Sequence, residues 1–144
     1  MSYETVEAAL KTQLATIANL TVVLNDATKI QGGSQKVAIL KYGRFSQERF
    51  SHGGDHMLTW EIEIELYCRY VNDADTRNNL RDVRNAVINR INAYPRLADA
   101  SEVFDAFIVR GQKLPEAVTL GGAHYLGEQI ICQVREELSV SYQE

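Results

Sequence analysis

Residues 57–70 carry the clearest pattern in the chain, Met-Leu-Thr-Trp-Glu-Ile-Glu-Ile-Glu-Leu-Tyr-Cys-Arg-Tyr. Leu58, Trp60, Ile62, Ile64, Leu66, Cys68 and Tyr70 fall on one side of a period of two. Met57, Thr59, Glu61, Glu63, Glu65, Tyr67 and Arg69 fall on the other. Successive side chains of a strand point to opposite faces, so this alternation predicts a long strand with one buried and one wet face. A strand covered on both sides would be apolar throughout, which points to an antiparallel sheet.

The flanking patterns build around that strand. Tyr3, Val6, Leu10, Leu14 and Ile17 recur at three- and four-residue steps and predict a helix over 3–18, with Ser2 as N-cap and Glu4 and Glu7 at the positive end of its dipole. Thr21–Leu24 is a candidate short strand, and Lys36–Tyr42 a clearer one. Residues 43–56 read as a polar connection. Asn72-Asp73 caps a second helix running to Ala93, with Leu80, Val83, Val87, Ile91 and Tyr94 as its stripe and Pro95 as its stop. Phe104–Arg110 is a third main strand, 111–126 a second long loop, and Glu128–Tyr142 the last strand, its apolar side broken at Glu136. The expected order is α-β-β-α-β-β: an α+β domain with a largely antiparallel sheet of four or slightly more strands, and both helices on one face.

Composition narrows the class without naming it. A chain of 144 residues with 45% apolar and 24% charged positions is expected to form one ordinary globular domain. Its net charge of −4 offers no general attraction to nucleic acid or anionic membrane. The first residues lack the basic and apolar regions of a signal peptide, and no stretch approaches the ~20 apolar residues of a membrane span. Cys68 and Cys132 lie on apolar strand faces, which suggests reduced core thiols, with a bridge between them as the alternative. A cytoplasmic, non-membrane protein is expected.

Catalytic constellations are weak. His52-Gly-Gly-Asp55-His56, with His124 as a distant third imidazole, is the best metal candidate. Histidines four apart converge only on a helix, however, and Gly53-Gly54 argues against one, so a polar loop is the stronger expectation. No Gly-x-Ser-x-Gly elbow is present, neither cysteine has a histidine beside it, and the paired glycines fit turns better than a phosphate loop. No enzyme, cofactor or metal is expected.

Two charged features remain. Arg77, Arg81 and Arg84 line one stripe of the second helix, either a solvated face or a protein contact. Glu61, Glu63 and Glu65 form an acidic row. It is a natural counterpart for such a stripe on a neighbouring subunit, or a wall past which DNA slides without sticking.

A family resemblance rests on the N-terminal helix with Val6, Leu10 and Leu14, the Val37-Ala38-Ile39-Leu40 strand, and the loop with Arg44-Phe45 and Arg49-Phe50. It continues through Trp60-Glu61-Ile62-Glu63-Ile64, the helix ending at Tyr94-Pro95 and the final strand Glu128–Tyr142. In this order the chain resembles the tail-terminator and tail-completion proteins of long-tailed bacteriophages, a divergent group without a diagnostic motif. The resemblance implies a virion protein that forms a ring, typically a hexamer, on the head-proximal end of the tail tube. It would stop tube polymerisation and join the tail to the head connector, with genomic DNA passing through the lumen. Arg77, Arg81 and Arg84 would then serve the subunit contact, and Glu61, Glu63 and Glu65 the acidic lumen. Loop residues Arg44, Phe45, Arg49, Phe50, Pro115 and His124 would meet the tube or connector. The alternatives are a neck or head-closure protein on the portal side, and a small monomeric domain binding a ligand or metal through His52, Asp55, His56 and His124.

Overall fold

The computed structural model describes residues 3–24, 35–49, 55–97, 103–114 and 117–139. Elements run α1 (Tyr3–Leu14), β1 (Leu20–Leu24), β2 (Lys36–Arg49), β3 (Asp55–Arg69), α2 (Asp73–Ala93), β4 (Val103–Lys113), β5 (Val118–Leu120) and β6 (Ala123–Ser139). The α+β class holds, but the sheet has six strands in the order β1-β2-β3-β6-β4, with β5 also on β6. It is antiparallel except for the parallel pair of β1 with β2. The element order is therefore α-β-β-β-α-β-β-β.

β3 is central, paired with β2 from Cys68 back to His56 and with β6 from Arg69 back to Asp55. Its even-numbered residues meet α1 and α2 in the main core. That core holds Val6, Leu10 and Leu14 of α1, Leu80, Val83, Val87 and Ile91 of α2, and Ile62, Ile64, Leu66, Ile130, Cys132 and Val134 of the sheet. Each such fully buried aliphatic side chain contributes about 1.5–3 kcal/mol relative to an exposed one, so this layer dominates stability.

Local chemistry sets the ends of α2 as the sequence predicts. Asn72 Oδ1 accepts from Asp75 N at 2.9 Å, satisfying a free amide of the first turn, and Val71 N, just before the cap, donates to Thr76 Oγ1 at 3.0 Å. At the other end Tyr94 N reaches the Arg90 and Ile91 carbonyls before Pro95, and the chain turns through Leu97 at φ 51. A leucine in the left-handed region is unfavourable by about 1–2 kcal/mol, and burial of the Leu97 side chain offsets this.

Several expected boundaries move. α1 ends at Leu14 rather than residue 18, because Thr16 Oγ1 and Ile17 N bond back to Gln13 and Leu14 carbonyls in a closing turn. Most of the expected 43–56 connection is strand: β2 continues to Arg49 and β3 begins at Asp55. Residues 44–48 are all exposed, so this arm extends past the core and shows no alternation. The expected 111–126 loop contains the end of β4, all of β5 and the start of β6. There the sheet is covered on its second face too. Val37, Ile39, Tyr67, Ala123 and Tyr125 form a small second core, flanked by Val23, Leu114, Val118 and Leu120. Tyr67, expected on the wet face, is buried there, and Met57 and Glu61 are buried as well. Glu136 breaks the apolar side of β6, where a bulge or the sheet's edge is expected; it lies inside the sheet, beside the register shift between Val103 and Asp105 on β4, and accepts from Trp60 Nε1 at 3.3 Å.

Tyr67 packs on Gly127, its cross-strand partner. A Cβ on Gly127 would lie 2.5 Å from Tyr67 Cε1 and 2.9 Å from Leu114 Cδ1. Gly127→Ala is therefore expected to destabilise the fold by about 1–3 kcal/mol through overpacking. A Tyr67→Leu second change should recover part of that loss in urea titrations.

Cys68 and Cys132 are buried free thiols. Opposite Leu126 and Ile62, they stand about six residues apart along the sheet, roughly 20 Å, beyond disulfide reach. Burial pushes the Cys132 thiol up to about 12 and the Cys68 thiol up to about 11, from 9.0. Unfolded thiols ionise above pH 9 while the folded ones keep their protons. Stability is thus intact below pH 9 and falls as pH rises from 9 towards 11–12, by up to about 1.4 kcal/mol per pH unit for Cys132. Thermal melts across pH 7–11 should show that fall, and Cys132→Ala should make it shallower.

Candidate interaction surfaces

The helix-free face of the sheet is built from β2, β3, β6 and β4, and its middle is charged. Two bulges determine which charges reach it. Pairing shifts by one residue between Tyr42 and Arg44 on β2, and between Ile108 and Arg110 on β4. A one-residue shift moves a side chain to the opposite face, so both bulges turn an arginine toward Glu61. Arg44 Nε lies 2.5 Å from Glu61 Oε2, and Arg110 Nη2 lies 3.4 Å from Glu61 Oε1. Gly43 makes the first approach possible, since a Cβ there would sit 2.8 Å from the Glu61 carbonyl oxygen.

Glu65 is held similarly. Lys41 Nζ is 2.9 Å from its Oε1, and Tyr67 Oη donates to it at 3.0 Å. Burial, then the Glu65 carboxylate, raises the Tyr67 phenol above its ordinary value, so that hydroxyl remains a donor. Arg135 grips Asp105 through both Nε and Nη2. Glu63, between the Glu61 and Glu65 clusters, lines two shallow depressions with Arg110. The expected bare acidic row is thus interleaved with Lys41, Arg44 and Arg110, and Glu61 is buried beneath its partners. A strand's own period cannot reveal this, because the cations come from other strands through bulges.

The arginine stripe has a different setting. Arg77, Arg81 and Arg84 line a groove of about 300 Å³ with Leu80, Lys113 of β4 and Glu128 of β6. Arg84 Nη1 bonds Glu128 Oε1 at 2.7 Å, whereas among the described residues Arg81 makes only a long 3.7 Å contact to neighbouring Asp82. Lys113 and Glu128 were not visible as part of this stripe, because tertiary packing alone brings the strand ends beside α2.

A third feature is aromatic. Tyr3 stacks edge-on to Tyr42 at 4.8 Å, and Trp60 lies 5.7 Å from both Tyr3 and Phe45. Tyr42 and Phe45 are 47% and 57% exposed, so the base of the β2–β3 arm presents aromatic surface.

The remaining sequence candidates separate. Arg49 lies at the end of β2 and His124 near the start of β6, where its Nδ1 is 3.3 Å from Thr119 Oγ1. Ser2, Phe50, His52 and Pro115 lie outside the described residues. His56 pairs with Leu138, at the opposite end of β6 from His124. That distance, roughly 45 Å along the strand, rules out a shared site for the two. Among the described residues no group of three or more potential ligands is close enough to hold a metal, and no helix is long and apolar enough to cross a membrane.

No protein-family model matches the chain, and no curated protein matches it at a significant level.

Glu61 holds the charged face together, and each partner contributes less than Glu61 because both arginines are largely exposed. Glu61→Ala is expected to cost about 1–3 kcal/mol. Arg44→Ala and Arg110→Ala should each cost no more than about 1 kcal/mol. Equal losses for all three in urea titrations with unchanged m-value would overturn this ranking.

Proposed function

We propose that the protein is a non-enzymatic structural subunit of a long-tailed bacteriophage virion. It assembles into a ring, most simply a hexamer, on the head-proximal end of the tail tube. There it ends tube polymerisation and joins the tail to the head connector. The pattern resemblance from helix to final strand motivates this reading, and the state of the helix-free face carries it. That face is polar and open, yet Lys41, Arg44 and Arg110 are paired with Glu65 and Glu61 of the same chain, while Glu63 between them has no ion-pair partner among the described residues. Binding of a nucleic-acid backbone requires cations free to displace its counterions, and Arg44, Arg110 and Lys41 are already engaged. Such a surface suits a channel wall along which DNA passes without adhering. Glu61, Glu63 and Glu65 then contribute to a charge-balanced lumen rather than an acidic one.

The β2–β3 arm, with Arg44, Phe45 and Arg49, is the proposed contact with the tail-tube protein or connector, and Phe50, Pro115 and His124 are proposed to share in it. Aromatic and arginine side chains are the usual anchors of protein contacts, and the exposed Tyr42 and Phe45 fit that role. Arg77, Arg81 and Arg84 form one side of the subunit contact.

Light scattering behind a sizing column, at low and moderate salt, tests the proposal. The expected result is a hexamer-sized particle, or a monomer that becomes a ring on adding tail-tube protein. A chain that remains monomeric with and without tube protein would overturn it. Rings that bind the connector but ignore the tube would move the protein to the neck.

A further inference from the structure

The proposed ring needs a counterpart for the arginine stripe, and Glu61 and Glu65 are already occupied within their own chain. We propose that the groove of Arg77, Arg81 and Lys113 receives Glu4 and Glu7, from the first two turns of α1 of a second copy. This inference rests on the ring reading and specifies its contact.

The groove already shows which chemistry it accepts. One end is filled by a carboxylate of the same chain, Glu128, bonded to Arg84 at 2.7 Å. Beyond it, Arg77 and Lys113 have no ion-pair partner among the described residues, and Arg81 has only the 3.7 Å contact to Asp82. This leaves a cationic patch on a chain whose net charge is −4. Arginine forks match carboxylates in geometry as well as charge.

Glu4 is exposed and Glu7 half-buried on α1. Residues three and four apart on a helix stand about 5–6 Å from each other, so the Glu4/Glu7 pair matches the pitch of Arg77 and Arg81. Lys11, one turn further along, confines the acidic stretch to the start of α1. Position agrees with charge. α1 lies toward the β1 edge of the sheet, whereas α2 spans β3, β6 and β4 toward the other edge, the two helices touching each other. A contact between the α2 flank of one copy and the α1 flank of the next is therefore heterologous, the type that closes into rings. A nucleic-acid backbone is the less favoured occupant, because Arg77 to Arg84 spans only about 10 Å on a negatively charged molecule.

The test uses two variants of the full chain, Arg77→Glu/Arg81→Glu and Glu4→Arg/Glu7→Arg, checked for folding by circular dichroism. Sedimentation velocity gives the mass of each alone and of their equimolar mixture, beside the unmodified chain. Each variant alone faces like charge with like, and its association should weaken at least about tenfold per contact. In the mixture every contact is again between opposite charges, so assembly should return, and salt should weaken it. If the first variant fails to fold, Lys113→Glu/Arg81→Ala takes its place. Either variant assembling alone like the unmodified chain would overturn the contact and leave the ring standing. So would a mixture that stays dissociated while the unmodified chain assembles. An unmodified chain that binds a DNA duplex through Arg77 and Arg81 without self-association would also overturn it. An unmodified chain that is monomeric in every condition, tube protein included, would overturn both proposals.

Discussion

The central constraint is the position of β3 between two long neighbours. It is hydrogen-bonded to β2 on one side and to β6 on the other along nearly all its length. Both helices dock on its even-numbered face, and the second core and the charged network use its odd-numbered face. A one-residue slip of β3 would exchange the two sets, placing Glu61, Glu63 and Glu65 in the core and Ile62, Ile64 and Leu66 in water. The cost of burying carboxylates against α1 and α2 gives this register its uniqueness.

Within that frame, irregularities do much of the functional shaping. The bulges at Gly43 and Val109 turn Arg44 and Arg110 to the face of Glu61. The bulge at Val109 also distorts the outermost strand, β4, which carries another register shift near Phe104; an edge of this kind is a poor template for unplanned strand pairing. The same sheet thus has a charge-balanced face, a blunted edge beside a cationic groove, and an arm with exposed aromatic side chains. Each surface has a distinct physical character, as expected of a subunit with several neighbours, and the proposed ring assigns one neighbour to each.

Much of this was legible in the chain. The period-two alternation of 57–70 identified the central strand because one face of it is continuously apolar. The three- and four-residue spacing of Leu80, Val83, Val87 and Ile91, with Asn72 before and Pro95 after, delimited α2 because capping and proline chemistry act locally. Strand segments without a one-sided core were missed. Residues 44–48 are exposed on both faces, and in 123–127 Ala123 and Tyr125 enter the second core, Leu126 the main one and His124 neither, so neither stretch carries a simple period.

What the sequence by itself determined is therefore the α+β class, the central strand, the second helix and the identity of the charged residues. Tertiary structure alone decided which charges meet. Glu61 was read as exposed because its neighbours in the chain say nothing of Arg44 and Arg110, which reach it through bulges on separate strands. The stripe of Arg77, Arg81 and Arg84 became a groove only when Lys113 and Glu128, distant in sequence, packed beside α2. Periodicity and capping depend on near neighbours along the backbone, whereas electrostatic pairing depends on distance in space, which the fold sets.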